Sequence, residues 1–373
     1  MRRWRGPAPN IKTIQQERSS MRAFFHPDQG LHAPQQFMQV GRIRDPKDLP
    51  SRTEALLGAL AKRGVSPEKP ADYGVGPALT IHTQPFVDFL QSAYERWCAV
   101  PEAGPEVLPN VSPYWNGRPE WQSRPPCRSN WIVAEAGYYL GDLAVPIGPH
   151  TWTSTIRSSH TATASADAIL RGEVVAYALC RPSGHHARSD RASGFCYLNN
   201  SAIAAQRLRS RYAKVAVLDV DAHHGDGTQE IFYRRADVLT VSVHVDPNSY
   251  YPYYIGYADE RGHGDGEGYN INIPLPPKAN DTTFQAAVEE AAMKVRDFGA
   301  EALVVALGYD SHREDPIGLL DVSTEGFRGI GERIRAIGLP TVVVQEGGYQ
   351  ISVIGDCLGQ FLDGLLEKKP YSS

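Results

Sequence analysis

Asp219-Val220-Asp221-Ala222-His223-His224-Gly225-Asp226 gathers carboxylates and imidazoles in one short stretch. It follows Val215-Ala216-Val217-Leu218, an apolar run that reads as a buried parallel strand. Polar groups leaving the carboxyl end of such a strand stand where open α/β sheets place their ligand sites. Asp221 and His223 are two residues apart, so on an extended segment they point the same way and can converge on one ion. A mixed oxygen and nitrogen pair suits zinc and similar divalent metals, with a further ligand expected from elsewhere. A solvated acidic turn is the plainer alternative, but five ionisable groups behind a hydrophobic strand are costly to hold without a function.

Three other strand ends carry polar groups. One gives Arg181-Pro182-Ser183-Gly184-His185-His186, a second Gly308-Tyr309-Asp310-Ser311-His312, and a third Glu346-Gly347-Gly348-Tyr349. At one edge of a parallel sheet all four can meet in one pocket. Asp221, His223 and Asp310 then form a three-ligand site with an open position, the pattern of a catalytic rather than a structural metal. Asp219 and Asp226 are left over, and each can orient a histidine through its ring N–H. His185 and His186 can both line a pocket wall if they sit in a turn. Tyr349, after a Gly-Gly turn, can donate to a developing oxyanion. A lone His-His or Gly-Gly-Tyr is usually only a turn; the weight lies in their order at successive strand ends.

The elements that must position these groups are legible as alternation. Residues 21–26 read as a first strand. Helices are expected at 51–63 and 85–99, then at about 155–170, 200–211, 283–298, 324–337 and 351–367. Strands are expected at 174–179, 215–220, 238–244, 302–307 and 341–345. Apolar strands alternating with helices indicate a parallel sheet covered on both faces. Residues 101–131 break the pattern with seven prolines and with Trp115, Trp121 and Trp131. A loop of that length inside a domain is usually functional or an interaction element. Residues 1–20 hold Arg2, Arg3, Arg5, Lys12 and Arg18 against Glu17 and lack the apolar stretch of a secretory signal. They are expected to be a disordered extension or a start-site artefact, with the domain running over 21–373.

The 373 residues carry a net charge of −4, with 42% hydrophobic and 21% charged residues, an ordinary globular composition. There is no basic field for nucleic acid, and no stretch approaches the roughly 18 apolar residues of a membrane span. The five cysteines form no Cys-x-x-Cys motif and suggest a reduced, cytoplasmic protein.

Taken together, Arg181-Pro-x-Gly-His185-His186, Gly194-Phe195-Cys196, Asp219-Val-Asp221-x-His223-His224-Gly-Asp226-Gly, Asp310 and Glu346-Gly-Gly-Tyr349 resemble the motifs of the arginase/deacetylase superfamily, and within it the histone deacetylase branch. The resemblance spans about 21–367. It implies a single α/β domain on an eight-stranded parallel sheet flanked by helices, and a zinc-dependent amidohydrolase acting on N-acetyl amines. It further implies one zinc held by Asp221, His223 and Asp310. His186 would be the general base and then the acid, and His185 its electrostatic partner. Asp219 would pair with His185 and Asp226 with His186. Tyr349 would polarise the acetyl carbonyl. Gly194, Phe195 and Tyr251 would bound the substrate tunnel. A potassium or sodium ion is implied at Asp219, Asp221, His223, Ser242 and Val243, and another at Phe232, Arg235, Val238 and Tyr269. Ser183 departs from the pattern, standing where the family commonly has a second proline.

Gly256-Tyr257-Ala258-Asp259-Glu260 after Tyr250-Tyr251-Pro252, together with the Pro/Trp-rich insertion, is similar to bacterial acetylpolyamine amidohydrolases. That resemblance implies a small acetylated amine as substrate and a homodimer paired through 101–131, which narrows the tunnel mouth. The group's loop glutamate has no clean counterpart: Val133 falls near its place and Glu135 two residues on. Ile317 brings no charge to the mouth. Other readings are a protein acetyl-lysine deacetylase, a two-metal arginase-like enzyme and a non-catalytic acetyl-amine binding module. A chain beginning at Met21 is expected to keep fold and activity; loss of either would show that residues 1–20 belong to the working protein.

Overall fold

The computed structural model describes residues 21–112 and 126–366. The extension expected at 1–20, and Trp115 and Trp121 of the insertion, lie outside the described residues. Nine strands are found among the described residues: β1 Arg22–Phe24, β2 Phe37–Gln39, β3 Arg42–Arg44, β4 Val175–Ala178, β5 Val215–Asp219, β6 Val238–Val245, β7 Asn270–Leu275, β8 Ala302–Leu307 and β9 Thr341–Gln345. Seven of them form one parallel sheet in the order β1-β4-β9-β8-β5-β6-β7. β2 and β3 pair antiparallel as a separate ribbon. The α/β fold is as expected, but the sheet has seven strands rather than eight among the described residues.

The main helices are α1 Ser51–Lys62, α2 Gln84–Cys98, α3 Ile132–Tyr139, α4 Thr151–Leu170, α5 Asn200–Leu208, α6 Asp226–Phe232, α7 Asp281–Phe298, α8 Gly326–Ile337 and α9 Ile351–Leu366. Strand residues alternate between two cores, as the two-residue period requires. Ala216, Leu218, Leu303, Val305 and Val343 pack with Leu60, Phe284, Ile330 and Phe361 of α1, α7, α8 and α9. Val215, Val217, Val304, Val342 and Val344 face Ala162, Ala166, Ala202 and Leu208 of α4 and α5. α4 is buried along nearly its whole length. Three of its hydroxyls are satisfied internally, Thr161, Thr163 and Ser165 each donating to the carbonyl four residues back.

The elements not evident from sequence pattern are β2, β3, β7, α3 and α6. β7 alternates Asn270, Asn272 and Pro274 with apolar residues, which suits an edge strand. Its asparagines face Gln229 of α6. α3 follows directly on the irregular insertion.

The topology explains the site. β4, β9, β8 and β5 are four consecutive neighbours in the sheet, and adjacent strands lie about 4.8 Å apart. The turns that follow them, which carry the four polar motifs, therefore emerge side by side.

Buried neutral histidines pin the surrounding loops. His82 donates from Nδ1 to the Arg188 carbonyl at 2.9 Å, and its Nε2 accepts from the Asn199 amide at 2.9 Å. Burial pushes His82 down to about 4, and His244, also buried, to about 4. The unfolded chain therefore takes up these protons before the fold does. Stability should be complete above the unfolded value of about 6.5 and fall as pH drops toward 4, by up to about 1.4 kcal/mol per pH unit for each group. Urea unfolding at about pH 7 and about pH 5 should show this slope, and His82→Gln should make it shallower; an unchanged slope in that variant would contradict the assignment.

Candidate active site

Asp221 and His223 follow β5, and Asp310 follows β8. One oxygen of each carboxylate is anchored by backbone: Asp221 Oδ2 accepts from the Gly347 amide at 2.8 Å, and Asp310 Oδ1 from the Ala222 amide at 2.9 Å. The other oxygens face His223 Nδ1, Asp221 Oδ1 at 3.2 Å and Asp310 Oδ2 at 2.9 Å. The three donor atoms lie within 4.8 Å of one another. Glycine is needed around them. A Cβ at Gly308 would sit 2.0 Å from Asp221 Oδ2, and one at Gly347 would sit 2.3 Å from Asp310 Oδ2.

The charges have the signature of a cation site. Burial and the neighbouring Asp221 push Asp310 up to about 7. Burial opposes charge on His223, yet Asp310 and Asp221 lift it to about 9. A divalent ion satisfies both demands with no proton, and two carboxylates plus one imidazole are a suitable donor set. His185, Cys196 and Glu346 form a second compact trio. It does not suit a metal: burial raises the Cys196 thiol far above its usual range. Glu346 is already engaged, its carboxylate accepting from the Gly184 and His185 amides and the Ser201 hydroxyl. That carboxylate cross-braces the turn after β9 to the turn bearing the histidines.

His185 Nδ1 lies 2.9 Å from Asp219 Oδ2, and His186 Nδ1 lies 2.7 Å from Asp226 Oδ1. Carboxylates only accept, so both histidines donate from Nδ1 and keep Nε2 for other work. The two rings are 4.0 Å apart. Of the pair only His186 lines the cavity; His185 is buried behind it, so the expectation that both form the wall is corrected. Burial and the adjacent His185 push His186 down to about 4. For His185, burial is outweighed by Asp219 and Asp221, which raise it well above the ordinary value.

Tyr349 is held from several sides. Its amide donates to Asp315 Oδ2 at 2.7 Å, and its ring lies against the Arg52 guanidinium, 4.7 Å from the ring centre. Burial keeps its hydroxyl protonated well beyond the usual range. Arg52 donates to the Gly348 carbonyl at 2.6 Å and the Glu346 carbonyl at 2.7 Å. It also pairs with Asp48 at 2.5 Å, and Asp48 pairs with Arg181 at 2.9 Å. This buried Arg52–Asp48–Arg181 chain links the Gly-Gly-Tyr turn to the start of the His-His turn. None of Arg52, Asp48 or Asp315 was identified from the sequence, because no local spacing marks them.

A cavity of about 1180 Å³ opens at this edge, lined by His186, His223, Gly194, Phe195, Tyr251 and Tyr349 among others. Phe195 packs edge-on against Tyr349 at 5.6 Å, and Tyr251 against His186 at 5.0 Å. Gly194 has φ 53°, and a Cβ there would meet the His186 ring at 2.5 Å. Ile317 lines the cavity, and its carbonyl accepts from the Tyr250 hydroxyl. Val133 and Glu135 do not line it; Glu135 pairs with Arg96 at 2.6 Å. Asp142 does, unforeseen, with one oxygen accepting from both the Tyr251 hydroxyl at 2.6 Å and the Gly194 amide at 2.9 Å. Of the residues expected around monovalent cations, Asp219 and Ser242 are register partners across β5 and β6, with Val243 next. Phe232, Arg235, Val238 and Tyr269 gather instead at the opposite end of the sheet, where β6 and β7 begin.

Residues 47–365 match the family model described as the histone deacetylase domain. The chain belongs to the histone deacetylase family. Within it, the chain is 44% identical to the acetylpolyamine amidohydrolase of Burkholderia pseudomallei over 92% of its own length and 98% of the relative's. It is 39% identical to acetylpolyamine amidohydrolase 1 of Pseudomonas aeruginosa over 90% of this chain and 96% of that protein. The crystal structure of the acetylpolyamine aminohydrolase from Burkholderia pseudomallei superimposes with a TM-score of 0.88, covering 93% of this chain and 98% of that one.

Arg52→Met should cost about 3–5 kcal/mol of unfolding free energy, because it removes one of the two guanidinium partners of the buried Asp48 carboxylate and the donor to the Gly348 carbonyl. Arg22→Met, which breaks the exposed pair with Glu68, should cost no more than about 1 kcal/mol. Urea unfolding of the two variants checks the contrast, and equal losses would contradict it.

Proposed function

We propose that the protein hydrolyses the amide of N-acetylated amines with one zinc ion held by Asp221, His223 and Asp310, and that acetylpolyamines are its substrates. Similarity to acetylpolyamine amidohydrolases over nearly the full length of both chains carries the substrate assignment. The site carries the chemistry. When bound, a divalent ion acidifies water and polarises a carbonyl. His186, neutral and oriented by Asp226, takes the proton of the attacking water and returns it to the leaving nitrogen. His185, paired with Asp219, keeps a compensating positive charge behind it. The Tyr349 hydroxyl, held protonated by burial, donates to the carbonyl oxygen as negative charge develops there. Addition of the water oxygen to the carbonyl carbon forms the C–O bond, and the C–N bond then breaks as His186 delivers the proton to nitrogen, giving acetate and a free amine. Phe195 and Tyr251, with the Gly194 turn and Ile317, bound the acyl-amine path.

The same reading extends to the cations and the assembly. A potassium or sodium ion is assigned to Asp219, Asp221, His223, Ser242 and Val243, and another to Phe232, Arg235, Val238 and Tyr269. Two chains pair through the 101–131 insertion, supported by the exposed Val111 and Trp131 on its described parts. A cytoplasmic setting fits the five free cysteines. No helix among the described residues is long and apolar enough to cross a membrane.

On zinc-loaded protein, kcat/KM for N-acetylated polyamines should exceed that for acetyl-lysine peptides by about tenfold or more, some 1.4 kcal/mol of transition-state binding. Equal values would point to a protein deacetylase instead. Tyr349→Phe should lower kcat by about 10²–10³-fold with zinc content unchanged; undiminished turnover would contradict its role.

A further inference from the structure

Asp226 has two oxygens and two different partners. Oδ1 receives His186 Nδ1 at 2.7 Å. Oδ2 receives both Nε and Nη2 of Arg188, at 3.2 and 2.9 Å. Asp226 is buried, while the Arg188 side chain keeps 26% of its surface exposed and lines the cavity. Arg188 is itself held at its backbone. Its amide donates to the Arg191 carbonyl at 2.8 Å, and its carbonyl accepts from His82 Nδ1 at 2.9 Å.

A carboxylate bonded through one oxygen can still turn about its side-chain torsions, and a terminal carboxylate torsion is soft. Two donors converging on the second oxygen remove that freedom, so the carboxylate plane fixes the direction of the imidazole it holds. A buried carboxylate also requires a counter-charge. His186 cannot provide one while it serves as a neutral base. Among the contacts of Asp226, Arg188 carries the permanent positive charge.

We propose that Arg188 is a positioning residue for the deacetylation step, fixing the His186 ring through Asp226 without touching the reacting atoms. The proposal rests on His186 acting as the base. Its role is separable from bracing of the fold, because α6 is already tied to the histidine turn by backbone: the Thr228 amide donates to the His185 carbonyl at 3.1 Å.

The test is a double-mutant cycle on the zinc-loaded full chain with one N-acetylated amine. It compares wild type, Arg188→Met, Asp226→Asn and the double variant, with melting temperature and zinc content measured for each. Arg188→Met should lower kcat about tenfold and leave KM within about twofold, while in the Asp226→Asn background the same change should alter kcat by less than about twofold, since the two residues act as one unit. Arg188→Lys, which keeps the charge but not the two-donor contact, should fall between, about threefold below wild type. An unchanged kcat in Arg188→Met, a rise in KM alone, or a loss that multiplies with that of Asp226→Asn would overturn the proposal. If Arg188→Met does not fold, a wild-type kcat in Arg188→Lys overturns it. His186→Ala separates the two claims: retained turnover removes the base assignment itself, whereas its loss beside an unaffected Arg188→Met removes only the role of Arg188.

Discussion

Asp219, Asp221, Asp226, Asp310 and Glu346 are all buried at one edge of the sheet, and the cost of desolvating five carboxylates governs what surrounds them. Burial drives each toward its neutral form, so any that stays ionised needs a cation or several donors. The structure meets that demand differently at each. Glu346 takes two backbone amides and a hydroxyl. Asp219 takes His185, and Asp226 takes His186 and Arg188. Asp221 and Asp310 face one another across a single imidazole, a balance that a bound divalent ion would complete.

This charge balance also sets the second layer of the site. The proposed catalytic groups stand on turns, which are the least constrained parts of an α/β sheet. Here buried charged pairs lock the turns to one another: Glu346 joins the Tyr349 turn to the histidine turn, and Arg52, Asp48 and Arg181 join them again from the other side. Preorganisation of this kind avoids reorganisation of donors during reaction. It also explains the glycines, since Gly308 and Gly347 leave room for carboxylate oxygens that any side chain would displace.

The strands with continuous apolar runs, β5, β8 and β9, were legible because burial on both faces leaves no polar position. The polar groups just beyond them were legible for the same reason, standing out against the run. β7 was not, because an edge strand that alternates asparagine with isoleucine looks like a loop. Arg52, Asp48, Asp142, Asp315 and Arg188 carried no signal either. Each reaches the site from a helix or loop whose place is set by tertiary packing, and an isolated charge in such a segment reads as solvated surface. The same limit applies to the substrate, which depends on the cavity mouth rather than on strand ends. There the sequence pointed to Val133 and Glu135, and the structure brings Asp142 to the cavity instead.

Asp221, His223 and Asp310 are proposed to hold one divalent ion, and the neighbouring trio none. Anomalous diffraction from crystals of the zinc-loaded protein tests this directly. One peak per chain between Asp221, His223 Nδ1 and Asp310 is the predicted result. A peak among His185, Cys196 and Glu346, or two ions sharing the Asp221–Asp310 site, would contradict it.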